Sequence, residues 1–328
     1  MSQESRAGIT ALGVYTPERV LSNADLEQMV ETSDEWIVQR TGMRERRIAA
    51  PDEFTSDLCV AAVQQMIETY NVSVEDVDLI LVSTTTPDYP FPSVASQVQA
   101  QLQIPNAGAL DISAACAGFV YALHMANGLI TSGLHRKVLV IGAETLSKVV
   151  NAEDRTTSIL FGDGAGVALV EWEEHNPSFL YSHLGSEGAG GKSLYRTGLS
   201  SRMGDLELLG DGKIVQNGRE VFKWAVNTIV RDVPLLVEKA GLSLDDIDWF
   251  VPHSANLRII EASAERLKFP MEKTLHSLEY FGNTSSATIP LALQLGLQEG
   301  KIQNGDTILL YGFGGGLVYA GMVLRWTI

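Results

Sequence analysis

The chain predicts an α/β protein made of two similarly folded halves packed about a pseudo-twofold axis. Three features predict it. A segment pattern recurs 170 residues further on, short Val/Ile/Leu runs alternate with Gly-rich turns, and each half has a small-residue segment leading into a helical run.

The repeat is explicit. Residues 71–82 read NVSVEDVDLILV and residues 241–252 read GLSLDDIDWFVP, sharing apolar–Ser–apolar–acid–Asp–apolar–Asp in the same register. Each copy ends a helix-like stretch, turns, and enters a strand-like run. Val138–Gly142 parallels Ile308–Gly312 at the same offset, and Leu102 to Pro105 is echoed by Leu267 to Pro270. The small-residue segments are Ala114–Gly118 in the first half and Gly282–Ser286 in the second. Cys116 and Asn283 are therefore read as equivalent positions, 167 apart, at a site between the halves. The halves divide as residues 1–175 and 176–328. Residues 185–220 are Gly-rich, aperiodic and without a counterpart, which predicts either a long excursion over a site entrance or a plain surface loop.

Of the 328 residues, 45% are apolar and 20% charged, which suits a water-soluble globular protein. The net charge of −16 makes nucleic acid and anionic membranes poor partners. Two cysteines make no disulfide framework and suit a reducing compartment. Met1–Arg6 lacks an apolar signal core and no run reaches spanning length, so the expected location is the cytoplasm. The six His and two Cys have no metal-ligand spacing, so no metal is expected.

Four segments carry candidate chemistry. Asp111–Phe119 runs from a strand through small residues into a helix, which puts Cys116 at a helix N-terminus, where N–H groups and the dipole lower a thiol pKa. His253 in Val251–Arg258 ends a strand of the second half, with a helix starting near Ser254. Asn283 in Phe281–Ser286 follows a glycine and precedes a helix, so its amide can point into a cleft. Gly312–Gly316 follows a strand and lets backbone N–H groups approach a ligand, as an oxyanion hole requires. Each alone has a plainer reading: a buried structural Cys, a hydrogen-bonded structural His, a capping Asn, a tight glycine turn. Gly190–Ser193 imitates the end of a phosphate loop, but Ser186 stands where its first glycine belongs.

Taken together and in order, these segments resemble the 3-oxoacyl-[acyl-carrier-protein] synthase III family of thiolase-like condensing enzymes. The resemblance spans essentially the whole chain and includes Ser33–Gly42 and Phe161–Gly166. It implies a five-layered αβαβα duplication and a homodimer. It implies that Cys116 takes an acyl group from an acyl-CoA primer, acetyl or short branched, and that His253 and Asn283 stabilise the enolate formed when malonyl-acyl carrier protein loses CO2. It implies an oxyanion hole from the N–H groups of Cys116 and Gly315. Trp36, Arg40 and Arg155 would bind CoA. Phe91, reaching from the partner subunit, Thr32, Ile159, Phe313 and the Leu146 region would line the acyl pocket, with Phe313 beside the decarboxylation site. Carrier protein would dock on Lys223, Arg258 and Ser254, with Arg219, Arg266 and Lys268 as neighbours in a basic patch. Ser254 stands where many members have Gln, and suits a helix cap. The small residues of 142–150 incline the primer toward branched chains. No cofactor stays bound, since CoA thioesters are substrates. Two other readings remain: a thiolase-like paralogue acting in secondary metabolism, and a non-catalytic carrier-protein binding module. A cysteine hydrolase fits less well, because its His serves as base for the Cys.

Overall fold

The computed structural model describes residues 4–328. Two sheets repeat one plan. The first has the strand order Ala7–Tyr15, Asp163–Trp172, Lys137–Thr145, Leu79–Ser83, Gly108–Ile112, and the second runs Phe179–Ser186, Val318–Arg325, Thr307–Gly314, Trp249–Pro252. Leu79–Ser83 pairs parallel with Lys137–Thr145, as Trp249–Pro252 does with Thr307–Gly314, and the remaining pairs correspond in turn. The fifth strand of the second sheet is reduced to a parallel bridge between Phe250 and Thr274.

Central strands are apolar on both faces because both faces are covered. Leu79, Leu81, Val138 and Val140 point inward, and Ile80, Val82, Leu139 and Ile141 point outward against the helix Thr55–Tyr70. Between the sheets lie two helices, Gly118–Thr131 and Thr288–Gln298, which share one core with the inner faces of both sheets. Helices Gly218–Lys239 and Leu257–Leu267 cover the outer face of the second sheet. The result is five layers, αβαβα. No helix among the described residues is long and apolar enough to cross a membrane.

The register corrects one expectation. The two central helices begin at Gly118 and Thr288, and each follows a single 3-10 turn, Ala115–Ala117 or Ser285–Ala287, again 170 apart. Cys116 therefore corresponds to Ser286, not to Asn283, whose counterpart is Ser113. Strand and helix packing set the register, and Asn283 lies three residues earlier in its loop. Ala115 and Ser285 both hold the left-handed backbone region, at φ 42° and 51°. Non-glycine residues occupy that region only at some cost.

Each turn presses on a glycine of the opposite half. A Cβ on Gly142 would sit 2.6 Å from the Ser286 carbonyl oxygen, and one on Gly312 would sit 2.7 Å from the Ala117 Cα. Both obstacles are backbone, so neither can swing aside. Gly142→Ala and Gly312→Ala are each expected to destabilise the fold by about 1–3 kcal/mol. Gly128→Ala, on an exposed helical site with open space around it, should be neutral or gain up to about 1 kcal/mol. Urea unfolding of the three variants checks the contrast.

Candidate active site

Cys116 occupies the 3-10 turn ahead of the helix Gly118–Thr131 and is 8% exposed. Gly314 of the opposite half touches it, since a Cβ there would lie 2.8 Å from the Cys116 nitrogen and 3.1 Å from Sγ. Gly315, the next residue, lines the cavity beside the thiol. The net shift of the thiol pKa is upward, opposite to the lowering that the sequence predicts. Burial pushes it up to about 12; a hydrogen bond from Ser285 opposes this and the Glu144 carboxylate adds to it. Burial of the anion outweighs the hydrogen bonds that favour it, one of them from the Cys116 backbone.

His253 follows the strand Trp249–Pro252 and is almost wholly buried. Its Nδ1 lies 2.7 Å from the Thr288 hydroxyl, and its ring packs edge-on against Phe313 at 5.1 Å between centroids. Burial pushes its pKa down to about 3, so the ring is neutral. Thr288 has one proton for two acceptors, His253 Nδ1 and the Ser285 carbonyl at 2.9 Å. When that proton is on the Nδ1 side, the imidazole carries its own proton on Nε2.

Asn283 is held by backbone. Its N–H donates to Leu160 O at 2.8 Å and its carbonyl accepts from Gly162 N at 3.0 Å, which joins the Phe161–Gly166 segment to the Gly282–Ser285 segment. Gly282 is at φ 64°, and a Cβ there would lie 2.7 Å from the Leu160 carbonyl oxygen. The Asn283 Oδ1 accepts the Ser285 N–H at 2.9 Å. The Nδ2 group is the half of the amide left for the cavity that Asn283 lines.

Two cavities of about 570 Å³ each meet at Cys116, Phe161 and Leu194. One is a chamber walled by Thr84, Pro87, Ile112 and Leu146. The other is lined by Trp36, Arg155, Phe222 and Arg258 as well as His253, Asn283 and Phe313. The excursion lies over both. Its strand Leu194–Arg196 pairs with Ile214–Gln216, and Leu194 walls each cavity.

Several expected residues sit elsewhere. Ile159 packs in a cluster with Trp36 and lines the second cavity, not the chamber. Phe313 also belongs to the second cavity, against His253. Thr32 lines neither, and its hydroxyl is buried without a partner. Phe91, expected to reach into the partner's pocket, is 85% exposed on the surface of this chain. Ser254 is fully buried, its hydroxyl accepting the Ser277 N–H at 3.0 Å, so it cannot meet a macromolecule. The helix cap is Asn256, whose side chain accepts the Arg258 N–H. Lys223 and Arg258 are exposed, as are Arg219, Arg266 and Lys268, and among the described residues none of the five is in an ion pair. Trp36 carries Arg155 over its ring at 4.9 Å and Arg40 at 5.6 Å.

Sequence reasoning missed Glu144, Ser285 and Thr288. The signal for Glu144 was a lone carboxylate, next to last in the apolar strand Lys137–Thr145.

Comparison with known proteins agrees with this geometry. The profile described as 3-Oxoacyl-[acyl-carrier-protein (ACP)] synthase III matches residues 110–188, and that of its C-terminal domain matches residues 237–326. A beta-ketoacyl-[acyl-carrier-protein] synthase III 2 of Halalkalibacterium halodurans is 61% identical over 324 residues, 99% of this chain and 98% of that one. The chain belongs to the 3-oxoacyl-[acyl-carrier-protein] synthase III family. It is a condensing acyltransferase with the thiolase-like fold. The crystal structure of the synthase III of Thermus thermophilus superposes with a TM-score of 0.94 at 47% identity, covering 97% of this chain and 99% of that one. A priming beta-ketosynthase of the R1128 polyketide pathway superposes at 0.92 with 38% identity, covering 100% of this chain and 98% of that one.

The neutral His253 ties the synthase's stability to pH. Its folded-state pKa of about 3 lies below the ordinary 6.5, so the unfolded chain takes up the proton first as pH falls. Stability should be intact above about 6.5 and drop by about 1.4 kcal/mol per pH unit down to about 3. His253→Gln should remove that slope, so urea unfolding at pH 5 and pH 7 should show the wild type losing about 2 kcal/mol more than the variant. His124 and His276, whose pKa values burial also lowers, are common to both proteins and cancel.

Proposed function

We propose that Cys116, His253 and Asn283 carry the decarboxylative Claisen condensation of an acyl-CoA primer with malonyl-acyl carrier protein, each holding charge at a different step. One observation carries this assignment: the thiol stands where two cavities meet, and the neutral donors line one of them. In the first half-reaction the Cys116 sulfur attacks the primer's thioester carbonyl and CoA leaves, giving an acyl-Cys whose chain extends into the chamber. The N–H groups of Cys116 and Gly315 stabilise the tetrahedral oxyanion.

In the second half-reaction the malonyl thioester carbonyl lies between His253 Nε2–H and Asn283 Nδ2–H. The electron pair of the breaking C–C bond moves onto that oxygen as CO2 departs. A neutral imidazole suits this step, since it donates without surrendering a proton to the enolate. The enolate carbon then attacks the acyl-Cys carbonyl and the Cys116 thiolate leaves. Phe313 packs the His253 ring in place and keeps the site dry.

Trp36 and Arg155 receive the adenine of CoA. They stack on each other in the free protein, so a base between them requires Arg155 to move off the indole. The exposed cations Arg219, Lys223, Arg258 and Arg266 lie on the two packed helices beside the second cavity, and Arg219 and Arg258 line it. They form the carrier-protein dock on a chain whose net charge is −16. The exposed Phe91 and the half-exposed Leu110 on the edge strand Gly108–Ile112 support a homodimer in which Phe91 enters the partner's chamber. Short primers, straight or branched, fit a chamber of this size, and the free thiols Cys59 and Cys116 suit the cytoplasm.

Intact-mass measurement after exposure to a panel of acyl-CoAs should show one acyl adduct, absent in Cys116→Ala, and should rank the primers. His253→Ala should keep the adduct but slow CO2 release from the malonyl substrate about 10²–10³-fold, the effect of losing an oxyanion donor. No adduct with any primer would remove the acyl-enzyme step and favour the paralogue or binding-module readings. Lys223→Glu with Arg266→Glu, neither of which lines the cavity, should raise KM for malonyl-carrier protein at least tenfold while leaving malonyl-CoA turnover within about twofold. Equal loss with both substrates would place the dock elsewhere.

A further inference from the structure

Among the described residues, Glu144 is the charged side chain that is buried and acts on the Cys116 thiol. It is next to last in the strand Lys137–Thr145 at 0% exposure, 170 residues before Gly314, which touches Cys116 from the other half. Its carboxylate accepts from Thr86 Oγ1 at 2.6 Å, from Thr85 N and Oγ1 at 3.1 and 3.0 Å, and from Thr84 Oγ1 at 3.3 Å. A last donor comes from across the pseudo-twofold axis, the Ser285 hydroxyl at 3.2 Å from Oε1. Ser285 also lies beside Cys116 on the wall of the same chamber, where its hydroxyl pulls the thiol pKa down against burial. Ser285 is the residue at φ 51°, and it lines the acyl chamber beside Cys116. His253 turns its Nδ1 to Thr288, and no hydrogen bond among the described residues joins its ring to the thiol.

We propose that Ser285 and Glu144 form the proton relay of Cys116. The thiol proton passes to Ser285 Oγ as the Ser285 hydroxyl proton passes to the Glu144 carboxylate. The thiolate forms its bond to the primer carbonyl, the bond from that carbonyl to the CoA sulfur breaks, and the proton returns by the same path to the CoA sulfur. Thiol and thioester enter, and thioester and thiol leave, so the half-reaction balances without solvent. In the second half-reaction the charge of the malonyl carboxylate ends on the Cys116 sulfur, and one solvent proton restores the thiol. The relay supplies a base for a thiol that burial keeps protonated. Burial also raises the Glu144 pKa, against the pull of its Thr86, Thr85 and Ser285 hydrogen bonds, which brings the carboxylate closer to a thiol as a proton acceptor.

This inference rests on Cys116 being the acylated nucleophile, and the experiment separates the two. Single-turnover acylation by acyl-CoA is followed by rapid quench and intact mass in wild type, Ser285→Ala and Glu144→Gln. The apparent pKa of Cys116 is read in parallel from the pH profile of iodoacetamide alkylation, with the adduct mapped away from the fully buried Cys59. The expected result is acylation about 10²-fold slower in both variants and a wild-type solvent deuterium isotope effect that the variants lose. The alkylation profile of Glu144→Gln should shift to lower pH, because a neighbouring negative charge is gone. A residue acting by charge alone would make that variant acylate faster as its thiol pKa falls. Acylation equal to or faster than wild type in either variant overturns the relay. Should Glu144→Gln fail to fold, Ser285→Ala, which leaves the carboxylate in place, decides alone. No acyl adduct in wild type removes the nucleophile assignment itself.

Discussion

The site depends on a reciprocal close approach across the pseudo-twofold axis. The turn before each central helix packs against a strand-end glycine of the other half: Ser286 on Gly142, Ala117 on Gly312 and Cys116 on Gly314. Without side chains at those glycines, the two helix starts and the two strand ends come together at the middle of the molecule. That junction sets the Cys116 turn and the Ser285–Ala287 turn against the strand ends of the opposite halves. The same contact makes the site tolerant of little, because the facing atoms are backbone and cannot repack.

Symmetry of the scaffold is broken where chemistry needs it. Positions 116 and 286 are equivalent, but one carries a thiol and the other a hydroxyl that donates to the Ser83 carbonyl. Positions 144 and 314 are equivalent, but one is a buried carboxylate and the other a glycine against Cys116. Duplication thus provides two matching cradles, and divergence gives them different side chains. His253 and Asn283 come from the second half alone. Asn283 is tethered to the first by the bridge to Phe161.

Burial is the common cause of the electrostatics. It keeps the His253 ring neutral, which suits a hydrogen-bond donor to an enolate, and it keeps the Cys116 thiol protonated, which demands a base. A dry pocket strengthens each donor aimed at a developing oxyanion. It also makes any charge without a partner expensive, and Glu144 is held there by hydroxyl and backbone donors.

By itself the sequence determined the duplication, the α/β class, the family, and the segments that hold Cys116, His253 and Asn283. Those features are local: a strand period, a glycine at a sharp turn, and a repeat of fixed offset are all written along the chain. Only the tertiary structure decided what depends on contacts between distant segments. It paired Cys116 with Ser286, put Ile159 and Phe313 on the cavity that holds His253 and Asn283, and buried Ser254 with its hydroxyl bonded to Ser277. It also raised the thiol pKa that the helix N-terminus alone was expected to lower. Glu144 and Ser285 are 141 residues apart, and no local pattern announces a hydrogen bond between them. Burial, charge and proximity are properties of the packed chain, and they arise only when the two halves close on each other.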